Sequence, residues 1–114
     1  MTNQIRALYE RAIAHFGEGM QLLKTMEEAG ELVQAVAKYT ALPVPAMSDA
    51  EAEHAKQTIN HLAEEIADVR IMLEQVCMIF DIEERAQQWR WHKLVRLKER
   101  LDLQEKEQGS DMFR

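Results

Sequence analysis

Cysteine, proline and glycine are nearly missing from this chain of 114 residues, which has one, two and four of them respectively. A lone cysteine, Cys77, excludes an internal disulfide. Set among Val76, Met78, Ile79 and Phe80, it reads as a buried thiol in a reducing compartment. The shortage of proline and glycine, with Ala, Leu, Glu, Gln and Met plentiful, predicts helix throughout. No apolar run approaches the roughly 20 residues that span a bilayer. No charged-then-apolar start is present either, so the expected location is cytoplasmic and no membrane partner is expected. Positive charge is also in deficit: the net charge of -6 argues against a protein that coats a nucleic-acid polymer. The length allows one domain, expected over residues 1–107, with residues 108–114 as a flexible tail.

What is present is helical periodicity. Ile5, Leu8, Tyr9, Ala12, Ile13 and Phe16 recur at three- and four-residue steps, giving a first helix from about Thr2 to His15. Gly17 and Gly19 mark a break. A second helix follows from about Glu18 to Thr40, with Leu22, Met26, Ala29, Val33 and Val36 as its apolar face, widened by Leu32 and Tyr39. Leu42-Pro43-Val44-Pro45 stops it, because proline disfavours helix at its own position and the one before. Ser48-x-x-Glu51 reads as a capping box opening a third helix to Phe80. That helix carries a long stripe: Ala55, Ile59, Leu62, Ile66, Val69, Leu73, Val76 and Phe80. Asp81-x-x-Glu84 caps a fourth helix running to about Lys106, with Ile82, Trp89, Leu94, Leu97 and Leu101 as apolar positions. The fold class expected is all-α, a four-helix, bundle-like arrangement. Its third helix is apolar on more than one side, which calls for neighbours from another subunit.

Two acidic clusters carry the chemistry: Glu27-Glu28-Ala29-Gly30-Glu31 and Glu64-Glu65-Ile66-Ala67-Asp68. Residues three and four apart share a helix face, so Glu28 pairs with Glu31 and Glu65 with Asp68. Projected at about 100° per residue, Glu28 borders the apolar face of its helix, and Glu31 lies about 60° beyond. Glu65 and Asp68 stand in the same relation to the third-helix stripe. Two acidic pairs at matching rims predict a cleft of carboxylates, hard oxygen ligands suited to Mg²⁺ or Mn²⁺. Glu27 and Glu64, one residue earlier, are each either a further ligand or a base. The competing interpretation is a pair of ordinary solvated acidic faces.

The paired motif Glu27-Glu28-x-x-Glu31 and Glu65-x-x-Asp68 resembles that of the MazG-like, all-α nucleoside triphosphate pyrophosphohydrolases. Phe16-Gly17, Gln21, the Ala-Asp-Val after the second cluster and Lys93-Leu94-Val95-Arg96 extend the resemblance over most of residues 13 to 100. It implies a MazG-type fold, completed as a homodimer or homotetramer. It implies that Glu28, Glu31, Glu65 and Asp68 hold Mg²⁺, with Mn²⁺ as a substitute, and that Lys93 and Arg96 meet phosphate. It further implies a nucleoside triphosphate substrate cleaved between its α and β phosphates, with Gln21 reading the base.

Other residues have two readings each. Arg85, Arg90, Lys93, Arg96, Lys98, Arg100 and Lys106 form either a polyanion strip or a salt-bridged solvated face. Lys38, seven residues after Glu31, faces phosphate or solvent. Trp91 falls off the main stripe and is a candidate for stacking on a base, whereas Trp89 is expected to pack. His61 lies near the face of Glu65 and Asp68, as a site neighbour or a rim histidine. Glu51-x-x-His54 matches half of a di-iron motif, but no second copy stands at a matching place. Two rivals to the enzyme remain: a non-catalytic helical interaction module, and a metal- and nucleotide-binding sensor without turnover.

Overall fold

The computed structural model describes residues 1–40 and 48–111, and all regular structure among them is helical. The expected stop at Leu42-Pro43-Val44-Pro45 lies outside the described residues. Four helices follow one another: α1 (Asn3–Phe16), α2 (Glu18–Thr40), α3 (Asp49–Phe80) and α4 (Glu83–Asp111). No helix among the described residues is long and apolar enough to cross a membrane.

The boundaries have local causes. Thr2 caps α1, its hydroxyl accepting the Ile5 N–H at 3.2 Å. Gly17 ends α1 with a φ of 90°, in the region glycine enters freely, and donates its N–H to the Ile13 carbonyl at 2.8 Å. Its own carbonyl then accepts the Gln21 N–H at 3.1 Å, so α2 starts at once. The capping box of α3 forms as the sequence predicts: Glu51 N–H donates to the Ser48 hydroxyl at 3.2 Å, and Ser48 N–H donates back to the Glu51 carboxylate at 3.4 Å. The expected cap of α4 is displaced. Asp81 takes a left-handed backbone with φ of 54°, and the Ile82 carbonyl accepts the first helical bond from Ala86 at 2.8 Å. Asp81 therefore makes the corner after α3, and the helix opens one step later.

The chain divides into two compact units, Met1–Phe80 and Asp81–Arg114. The second is built on α4, whose side chains from Glu84 to Gln108 are all exposed. Trp89, expected to pack, is exposed and meets only the edge of His92, with ring centroids 5.8 Å apart. Lys98 and Asp102 form a salt bridge at 2.6 Å. The helix reaches Asp111, past the Lys106 end that periodicity suggested.

In the first unit α2 and α3 form an antiparallel hairpin, since Gln21 meets Gln75 while Glu31, farther along α2, meets Glu65, which comes earlier on α3. Helix α1 packs on both, with Tyr9 buried and donating its hydroxyl to the Glu74 carboxylate. Burial lifts the Tyr9 pKa from 10.0 to about 12, and Glu74 adds to the shift.

The hairpin seam is not the one apolar periodicity predicts. On α2 the residues turned inward are Gln21, Thr25, Glu28, Leu32 and Ala35, alternating steps of four and three. Of the expected face, Leu22 and Leu32 are half-buried, but its main line lies one residue on, and Met26, Ala29, Val33 and Val36 are exposed, Val33 to 69%. On α3 the inward line includes Thr58, Leu62, Glu65, Val69, Met72, Val76 and Ile79. The expected stripe shares Leu62, Val69 and Val76 with it, but Ile59, Ile66, Leu73 and Phe80 stand exposed at every seventh position. A step of one residue turns a helix by about 100°, and in an antiparallel pair that step carries both lines to the same side. One side of the hairpin is therefore an open apolar surface. Cys77 is free and half-buried.

Candidate metal centre

The one-residue shift moves the acids. Glu28 and Glu65, expected at the rims, lie in the filled seam, 6% and 5% exposed. Glu31 and Asp68, three residues on, turn back by about 60° in the direction opposite to the apolar surface. Glu31 is exposed and Asp68 half-buried. One carboxylate oxygen each from Glu28, Glu31 and Glu65 gather with no pair more than 4.8 Å apart. Asp68 is outside that trio but near enough for its charge to act on Glu65.

These carboxylates are only partly satisfied. Lys24, one turn before Glu28, reaches its Oε1 at 3.0 Å, and its Nζ lies 3.9 Å from Glu27. The hydrogen bond and charge of Glu28 hold the Lys24 ammonium above its usual pKa. His61, one turn before Glu65, brings Nε2 to 3.7 Å from Glu65 Oε1. The second oxygens, Glu28 Oε2 and Glu65 Oε2, are buried without a hydrogen-bond partner. Such oxygens have given up water for nothing in return. Burial pushes the Glu65 carboxyl up, and Glu31 raises it further through its charge and a hydrogen bond; Asp68 adds to this and His61 opposes it. Burial and the neighbouring carboxylates thus act in the same direction on Glu65, favouring its protonated form. A divalent cation among the trio would offset the crowded negative charge and offer buried carboxylate oxygens a partner, so the donor set fits a hard cation.

The other predicted residues fall as follows. Glu27 and Glu64 are exposed, each one residue before a seam acid and turned to the same side as Glu31 and Asp68. Lys38 is exposed near the end of α2 on that side as well. Gln21 is buried, and its amide donates to Gln75 Oε1 at 2.8 Å, inside the seam and two turns from Glu28. Trp91, Lys93 and Arg96 are exposed on α4, in the second unit.

Two partners escaped the sequence. Lys24 had a legible signal, the Lys-x-x-x-Glu spacing within one helix. Gln75 had none, because its pairing with Gln21 depends on the register between two helices. Comparison with protein-family models, curated proteins and solved structures finds no match to this chain.

Proposed function

We propose that the chain is a Mg²⁺-dependent nucleotide pyrophosphohydrolase. The observation that carries this reading is the pair Glu28 and Glu65: each more than nine-tenths buried, each with an orphaned oxygen, gathered with Glu31. Structural acids at a helix interface would be expected to find lysine or arginine partners for both oxygens. Glu28, Glu31, Glu65 and Asp68 are the residues assigned to hold Mg²⁺, with Mn²⁺ able to replace it. A divalent cation held there supplies charge neutralisation for a polyanionic triphosphate, and Lewis acidity.

The remaining work belongs to the chain itself. Glu27 or Glu64, solvent-facing beside the trio, accepts the proton of the attacking water. As the new oxygen–phosphorus bond forms, the anhydride between α and β phosphates breaks and the electron pair leaves with pyrophosphate. The choice of that bond, and the assignment of Lys93 and Arg96 to phosphate, rest on the MazG-like resemblance. Lys38 is assigned to phosphate and Trp91 to the base. Gln21 can serve the base only after release from Gln75.

The open apolar side supports self-association. Its lines, Met26-Ala29-Val33-Val36 and Ile59-Ile66-Leu73-Phe80, keep the spacing of a filled helix seam. A second copy turned by a two-fold axis presents an identical, self-complementary surface. The same exposed lines favour the rival interaction module if the occupant is a different protein. Pyrophosphate release from a panel of nucleoside triphosphates with Mg²⁺ separates these readings. Turnover lost in Glu28→Gln supports the enzyme, whereas no turnover with any substrate contradicts it.

A further inference from the structure

The acid trio has a nitrogen donor beside it that the oxygen-ligand reading does not use. His61 stands one turn before Glu65, with Nε2 at 3.7 Å from Oε1. Positions four apart on a helix are where paired side chains chelate one ion, as in the two histidines of a zinc-binding His-x-x-x-His helix. The four-residue step back from Glu65 also turns His61 toward the side of Glu31 and Asp68. Its ring nitrogens are not within 4.8 Å of all three carboxylates, and its side chain is 48% exposed, so ligation takes a turn of the ring toward the trio. Glu65 Oε2 still lacks a partner.

We propose that His61 is a ligand of the ion held by Glu28, Glu31 and Glu65, which makes the centre a mixed nitrogen–oxygen site that still accepts Mg²⁺ but binds Mn²⁺ or Co²⁺ more tightly. This rests on the reading of the acidic cluster as a cation site. Mg²⁺ takes oxygen donors in a strict octahedron and seldom accepts imidazole. Affinity for imidazole rises from Mn²⁺ to Co²⁺ along the first-row series, so one histidine tilts the choice among ions of equal charge.

The test uses Mn²⁺ bound to the full chain, read by pulsed electron paramagnetic resonance. Directly coordinated imidazole adds a ¹⁴N modulation to the echo. The expected result is stoichiometric Mn²⁺ binding with that modulation, and its loss in His61→Gln while Mn²⁺ still binds. The ratio of Mn²⁺ to Mg²⁺ affinity should fall in His61→Gln by at least the roughly tenfold that even an outer-shell partner is worth. A ¹⁴N signal absent from the wild type, or unchanged in His61→Gln, overturns the proposal while leaving an all-oxygen site standing. Mn²⁺ that fails to bind, or binds Glu65→Gln as well as wild type, removes the cation site itself and this inference with it.

Discussion

The two sides of the α2–α3 hairpin are built from the same helices, yet they differ in every respect that matters for function. One side carries Met26, Val33, Ile66 and Leu73, all exposed, with Arg70 as a charge between the last two. The other carries Lys24, Glu27, Glu31, His61, Glu64 and Asp68 around two buried glutamates. A shift of one residue in the seam separates them. Had α2 and α3 packed through their apolar lines, Glu28 and Glu65 would lie at a wet rim with no reason to hold an ion. Packing through Gln21, Glu28, Glu65 and Gln75 instead buries polar groups that need partners and leaves apolar groups that need cover. The pair of deficits is what the proposed ion on one side and the proposed second copy on the other would each relieve.

The comparison is broken most severely on the acidic side. Glu65→Gln should abolish cation binding and turnover, while the metal-free chain becomes more stable near neutral pH, because a neutral amide escapes the burial and like-charge costs that raise the Glu65 pKa. Calorimetric titration and a thermal melt read both effects. The raised Glu65 pKa gives a sign for pH as well. A carboxyl that keeps its proton in the fold stabilises the metal-free chain at acid pH, and this contribution is lost as pH rises through the folded pKa. Cation binding must run the opposite way, weakening as pH falls, since the ion displaces the proton.

On the apolar side, Leu73→Glu should dissociate the proposed self-assembly and leave cation binding intact. Removing one buried leucine forfeits about 1.5–3 kcal/mol. A two-fold interface contains the change twice, so the dissociation constant should rise by on the order of a hundredfold or more. Sedimentation velocity over a concentration series checks this, and a monomeric wild type would contradict the self-association reading.

Tyr9→Phe sharpens the comparison by loosening α1 from the hairpin without touching either side. Loss of the bond to Glu74 should cost about 1–3 kcal/mol at neutral pH. The wild type, with Tyr9 raised to about 12, should lose stability as pH climbs from 10 toward 12, because only the unfolded tyrosine ionises readily there. In Tyr9→Phe that part of the alkaline loss should vanish. Smallest of all, Ser48→Ala removes a cap and should lower stability by about 1 kcal/mol, with no change in assembly or in cation preference.

Much of this was legible in the sequence. The helix count, the break at Gly17, the capping box at Ser48 and the acidic pairs all follow from local spacing, which a single chain displays. The seam does not. Apolar periodicity chose Met26, Val33, Ile59 and Ile66 as the interior because burial of carbon is the usual driving force. It could not weigh that face against a second, adjacent line of polar residues at the same spacing. The Gln21–Gln75 bond and the meeting of Glu31 with Glu65 depend on register between helices, a tertiary quantity with no local signature. Trp89 failed for a related reason: an aromatic on a helix face has no preference for the core until a neighbour supplies one.

The central claim is that the buried acids exist to hold an ion for phosphate chemistry. Pyrophosphate release, assayed with Mg²⁺ and with Mn²⁺ across the common ribo- and deoxyribonucleoside triphosphates, tests it most directly when wild type and Glu28→Gln are run side by side. The account predicts metal-dependent release of pyrophosphate and nucleoside monophosphate by the wild type, and none by a folded Glu28→Gln. Equal rates in the two proteins, or no release from any substrate with either ion, would contradict it.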